Sequence, residues 1–167
     1  GRVTAFLEKM DNPVTNSINA GCYVFHPSVL NRIPLGEVVS IERETFPALV
    51  ESGRPVFGYK EQAYWLDVGT PAALFKGSRD LITGDYQVMA GSQIDPSAEI
   101  TGKSSLGKSV TVGANVKIDD CIIGDNVTIG DGAQLSQSFV FHNTVIPAGL
   151  ERSKRYLSTA ISEPINL

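Results

Sequence analysis

Three short stretches of this chain of 167 residues hold polar groups of the kinds that could grip a phosphorylated sugar. Glu8 and Lys9 close the alternating segment VTAFLEK, Asn19-Ala20-Gly21 opens the apolar run AGCYVF, and Asp67 follows Tyr64-Trp65-Leu66 and precedes Gly-Thr-Pro. A carboxylate and an amide can hold hydroxyls, an ammonium can neutralise phosphate, and a glycine lets a ligand come close to the backbone. Each stretch also has a plainer reading. Glu8-Lys9 can be a solvated strand end, Asn19-Ala20-Gly21 a turn, and Asp67 a turn former or helix cap. His142, in FVFHNTVI, could act as a general base in acyl transfer, or stand solvated at a corner of the chain. His26, ahead of Pro27, reads as part of a helix start.

The elements that must position these residues change character near residue 85. Up to there, VTAFLE, AGCYVF, PVFGYK and YWLDV read as short strands, and HPSVLNRI, SIERETFPALVESG and TPAALFKGSRDLITG carry helical spacing. Ser40 and Thr70-Pro71 are expected to start helices, and Ser52-Gly53 and Thr83-Gly84 to stop them. Strands alternating with helices make residues 1–85 α/β, with few strands for a complete sheet. In such folds ligands bind at strand ends.

Residues 86–167 read as all-β. Apolar residues recur at every sixth position through Ile94, Ile100, Leu106, Val112 and Ile118, then after a step of five through Ile123, Ile129 and Leu135, and after another through Val140 and Ile146. Glycine follows at Leu106-Gly107, Val112-Gly113, Ile123-Gly124 and Ile129-Gly130. A hexapeptide period marks a parallel β-helix, here of roughly three coils, with corners at the two shortened steps and a tail from Pro147 that closes one end. A repeat of this kind speaks for fold and leaves chemistry open.

The net charge of −4 and the absence of a basic stripe exclude an evident nucleic-acid surface, and no apolar run is long enough to cross a bilayer. Cys22 and Cys121 suit two packed thiols in a reducing cytoplasm better than a disulfide framework or a metal site.

Taken in order, VTAFLEK, INAGCYVF, IERETFPAL, YWLDVGTP and the hexapeptide coils resemble the C-terminal half of the sugar-1-phosphate nucleotidyltransferases, most of all the members that make GDP-mannose. The resemblance implies part of a Rossmann-like catalytic domain followed by a left-handed parallel β-helix. Apart from it, apolar strips on the coils such as FVFHNTVI need cover, so the coils are expected to contribute to a homo-oligomer. The resemblance also implies synthesis of an NDP-sugar and pyrophosphate from a nucleoside triphosphate and a sugar 1-phosphate. By the same resemblance Glu8 contacts sugar hydroxyls, Lys9 the sugar phosphate, Asn19 and Gly21 the sugar, and Asp67 a magnesium ion (Mg2+). Family members also carry a glycine-rich nucleotide loop and a second metal-binding aspartate, which these residues lack. A missing N-terminal half or a companion chain would then complete the site. A non-catalytic regulatory or assembly subunit, and a hexapeptide acyltransferase using His142, are the alternatives.

Overall fold

The computed structural model describes residues 1–7, 11–12 and 14–166. The chain forms two compact units, Gly1–Trp65 and Leu66–Leu167.

In the first unit the expected helices form. His26 caps a 3-10 turn over Pro27–Arg32, its ring nitrogen accepting from Ser28 N. Ser40 accepts from Arg43 N at 3.2 Å, and Glu44 reaches back to Ser40 N at 3.0 Å, so two of the free N–H groups that begin a helix are satisfied reciprocally. A wide π turn, Ile41–Thr45, then runs into α1 (Phe46–Glu51). Gly53, at φ 71°, ends α1 in a left-handed cap with Arg54 N bonded to Leu49 O. Phe46 and Leu49 are buried, and the rings of Phe6, Tyr23 and Phe25 gather around Phe46.

The four expected strands do not form ladders. A single bridge, Arg2 with Phe57, is all that pairs them among the described residues, supported by Val3 N to Val56 O at 2.8 Å. A strand needs a neighbour to satisfy its N–H and C=O groups. Extended segments without one remain irregular, and Val24 and Tyr59 stay almost fully exposed.

The second unit begins with α2 (Pro71–Asp80), where Thr70 caps through its hydroxyl to Ala73 N at 3.2 Å and Pro71 fills the first position. A parallel solenoid follows. Its first turn is β1 (Tyr86–Val88), β2 (Gln93–Ile94) and β3 (Glu99–Thr101). The second is β4 (Ser104–Leu106), β5 (Thr111–Val112) and β6 (Lys117–Asp119). The third is β7 (Ile122–Ile123), β8 (Thr128–Ile129) and β9 (Gln134–Ser136). The fourth is β10 (Phe139–Val140), β11 (Val145–Ile146) and β12 (Glu151–Ser153), after which come β13 (Arg155–Leu157) and β14 (Ser162–Pro164). Like strands stack, giving sheets β1-β4-β7-β10-β13-β14, β2-β5-β8-β11 and β3-β6-β9-β12.

Four turns form where the apolar period suggests about three, because β1 and β12 continue the coil with largely exposed residues and Arg152 of β12 falls where the period would need an apolar one. Paired residues are 18 apart between the first and second turns, as in Asn115 N to Ser97 Oγ, and 17 apart thereafter, as in Cys121 N to Ser104 Oγ. The two shortened steps are therefore genuine corners. At them Asp120 (φ 53°) and Gln137 (φ 46°) take the left-handed conformation, and Cys121 and Ser138 are fully buried just after. The interior is the expected apolar series, Leu106, Val112, Ile118, Ile123, Ile129, Leu135, Val140 and Ile146, with Val110, Val116, Val127 and Ala133 between. The tail adds β14 antiparallel to β13 and buries Ile165 against Phe75 and Tyr156.

Candidate active site

In the first unit the Asn19 side chain organises a turn. Its carbonyl oxygen accepts from Gly21 N at 3.1 Å, the short-range bond by which Asn shapes its own backbone. Its amide donates to Tyr23 Oη and to Glu42 Oε1, and Tyr23 Oη donates to the same Glu42 oxygen at 2.8 Å. Gly21 stands at φ 72°, and a Cβ built there would have open space within 4 Å, so conformation selects glycine at this point. The same open space leaves the backbone reachable by a ligand. Burial pushes the Tyr23 phenol up; the Asn19 bond opposes this, and the Glu42 bond and charge add to it.

Glu42 and Tyr23 are thus the residues that reading the sequence overlooks. Both lie inside quoted motifs, IERETF and AGCYVF, yet no spacing rule connects positions 19 apart. Glu42 reaches the turn from the π segment at the start of its helix.

In the second unit Asp67 lies in irregular, exposed backbone and not on a strand, again for want of a ladder partner. It does not cap α2, which Thr70 does. Its carboxylate sits over Gly69, where a Cβ would come within 3.3 Å of Oδ1. As a metal ligand it fits in part. A hard ion such as magnesium is held by one or two carboxylates with phosphate oxygens and water, and an exposed carboxylate can supply one such contact. No cluster of three or more His, Cys, Asp or Glu able to hold an ion occurs among the described residues.

Of the expected site residues, then, Asn19 and Gly21 are brought together, Asp67 is placed in the second unit, and Glu8 and Lys9 lie outside the described residues. His142 is exposed beside β10. Cys121 is buried as expected, but Cys22 is exposed, because the segment that carries it has no sheet to pack into.

A capped helix behind an exposed aspartate and a solenoid of six-residue repeats place the second unit among the hexapeptide-repeat folds. Residues 1–84 match the model of a family described as nucleotidyl transferase, and residues 103–137 match that of the bacterial transferase hexapeptide (six repeats). The chain belongs to the nucleotidyl transferase family. It is 40% identical over 137 residues to a mannose-1-phosphate guanylyltransferase of Mycobacterium tuberculosis, a match covering 74% of this chain and 38% of that protein. It is 37% identical over 113 residues to a mannose-1-phosphate guanyltransferase of Neurospora crassa, covering 59% and 30%. With the mannose-1-phosphate guanylyltransferase catalytic subunit beta of Xenopus tropicalis it shares 40% over 84 residues, covering 50% and 21%. The chain spans well under half the length of these relatives. None of the described helices is long and apolar enough to cross a membrane.

Proposed function

We propose that this chain supplies the sugar-binding turn and a metal carboxylate of an enzyme that joins a nucleoside triphosphate, GTP by preference, to mannose 1-phosphate, releasing GDP-mannose and pyrophosphate. The observation that carries this reading is the 40% identity to the mycobacterial guanylyltransferase across 74% of the chain, together with the nucleotidyl transferase match over residues 1–84, which takes in both the turn and Asp67. In this reaction a phosphate oxygen of the sugar attacks the α-phosphorus of the nucleotide in line, and the bond to the departing pyrophosphate breaks. Two anions must meet, so charge neutralisation is the main catalytic task.

Asp67 would hold a magnesium ion, which supplies positive charge to the phosphates as they approach. Lys9 would neutralise the attacking phosphate, Glu8 would accept from sugar hydroxyls, and Gly21 would let the sugar approach the backbone. The structure of the turn sharpens the part of Asn19. With its amide donating to Tyr23 and Glu42 and its carbonyl held by Gly21 N, Asn19 would chiefly shape the surface that meets the sugar. The glycine-rich loop and second aspartate would come from residues outside these 167, in the same polypeptide or in a companion chain. The name of the frog relative, a catalytic subunit beta, supports a companion chain beside this one; a regulatory or assembly role is the second reading.

The test is pyrophosphate release by the protein as the cell makes it, with each of the four nucleoside triphosphates against mannose 1-phosphate and glucose 1-phosphate. Release that is fastest with GTP and mannose 1-phosphate supports the reading. No release with any pair, from a folded protein, would leave the regulatory role.

A further inference from the structure

Three contacts join the Asp67 loop to the solenoid through α2, all within the second unit. Leu66 and Val68, on either side of Asp67, both lie against Gly77: a Cβ there would sit 3.0 Å from Leu66 Cδ2 and 4.0 Å from Val68 Cγ2. Glycine inside a helix costs about 1 kcal/mol relative to alanine, and its presence is accounted for by Leu66 filling the space. Two residues before Gly77, Phe75 is wholly buried with Tyr156 and Ile165. Two residues after it, Arg79 donates to Asp120 Oδ1 at 2.7 Å, with its guanidinium carbon 5.6 Å from the Phe75 ring centre.

Asp120 is a fixed point of the coil. Its backbone is left-handed at the corner where the turn shortens, and the same Oδ1 accepts from Lys103 N at 2.9 Å. The ion pair is partly shielded from solvent, with the Arg79 and Asp120 side chains 29% and 23% exposed, so it is screened less than a freely solvated surface pair. One end of α2 is therefore tied to the coil, and its middle carries the two neighbours of Asp67.

We infer that Gly77 and Arg79 are positioning residues: through α2 they hold the Asp67 backbone against the solenoid, so that the coil sets how well the Asp67 carboxylate receives its metal ion. The inference rests on the reading of Asp67 as a magnesium ligand. Magnesium tolerates little departure from octahedral geometry, so loosening the backbone beneath one ligand weakens binding even though neither positioning residue touches ion or substrate.

The test uses Arg79→Ala and Gly77→Ala, with Arg79→Lys as the conservative control and Asp120→Asn as a variant that keeps an acceptor for Lys103 N while removing the charge opposite Arg79. Hydrogen exchange on this chain reads the amides of Ala73 and Leu74, which are bonded to Thr70 where the Asp67 loop enters α2. Exchange there about ten-fold faster in Arg79→Ala, with the Thr128 amide of the third turn unchanged and Arg79→Lys close to the parent, is the expected result. In the active enzyme the magnesium concentration for half-maximal rate should rise about five-fold or more, with the KM for sugar 1-phosphate unmoved. Should Gly77→Ala accelerate Thr128 as well, Asp120→Asn supplies the same readout with the coil intact. Parental exchange at Ala73 and Leu74 in Arg79→Ala and Asp120→Asn, or an equal rise in both concentrations, overturns the inference. Asp67→Asn in the same magnesium titration separates the two possible failures. An unchanged magnesium response there removes the reading of Asp67 itself, whereas a lost response beside unshifted Arg79 variants removes only the coupling.

Discussion

Asp67 and Lys9 are expected to fail in different ways when replaced. Asp67→Asn keeps the size of an exposed side chain and removes its charge, so the melting temperature should stay within about 2 °C of the parent. Pyrophosphate release at saturating magnesium should fall by roughly 100-fold or more. Activity within a few-fold of the parent would exclude Asp67 as the metal carboxylate. Lys9→Ala should raise the half-saturating concentration of sugar 1-phosphate far more than that of the nucleotide, since its ammonium would meet only the sugar's phosphate; equal effects would remove that role. The two thiols differ as sharply. Burial pushes the Cys121 thiol up to about 12, while Cys22 is exposed. An aromatic disulfide reagent at pH 8 should therefore titrate one thiol quickly and the second only on unfolding. Because the folded Cys121 pKa lies above its unfolded value, its contribution to stability is complete below about pH 8.5 and is lost as pH rises from there towards 12.

Among the elements, the solenoid was the most legible in sequence, because each six-residue repeat makes one flat side and every apolar position faces one interior. The glycines after Leu106, Val112, Ile123 and Ile129 were visible too, and the structure supplies their reason: the following turn lies directly against them. A Cβ at Gly124 would stand 2.7 Å from His142 N, and one at Gly130 2.6 Å from Ala148 N. Gly124→Ala should accordingly cost roughly 2 kcal/mol through forced separation of two turns. That corresponds to a melting temperature lower by roughly 8–16 °C for a unit of this size, measurable by calorimetry. The caps at Ser40 and Thr70 were legible because capping is local. The fourth turn was not, since Glu151–Ser153 carries Arg152 where the apolar residue would fall and pairs through its backbone and through polar side chains, Gln134 with Glu151 and Ser136 with Ser153. Nor were the ladders missing from the first 65 residues, because propensity in AGCYVF says nothing about whether a neighbour exists. In the candidate site, Asn19-Gly21 could be read as a turn, but Glu42 and Gly77 act through contacts that sequence spacing does not encode.

For the molecule as a whole, the apolar strip FVFHNTVI was expected to need cover. Much of that cover comes from the chain itself, Phe139 and Phe141 lying half-buried with Phe75, Tyr156 and Ile165. Phe139→Asp with Phe141→Asp should thus release α2 and the tail to proteases. Light scattering before and after the change reports on the homo-oligomer we expect, and a monomer at every concentration of the unmodified protein would remove that expectation. The one-sided tail has a consequence of its own. Hydrogen bonds between turns run along the solenoid, so each turn is held only by the turns next to it. At the far end β14 ties down the edge of β13. At the near end the first turn has a neighbour on one side, and its inward residues Ile94, Ala98 and Ile100 remain partly exposed while their counterparts in the next turn are buried. The coil should therefore fray in one direction, opening from Tyr86 towards the third turn like a zip with a single stop, and amide exchange ordered by turn would record the sequence of its melting.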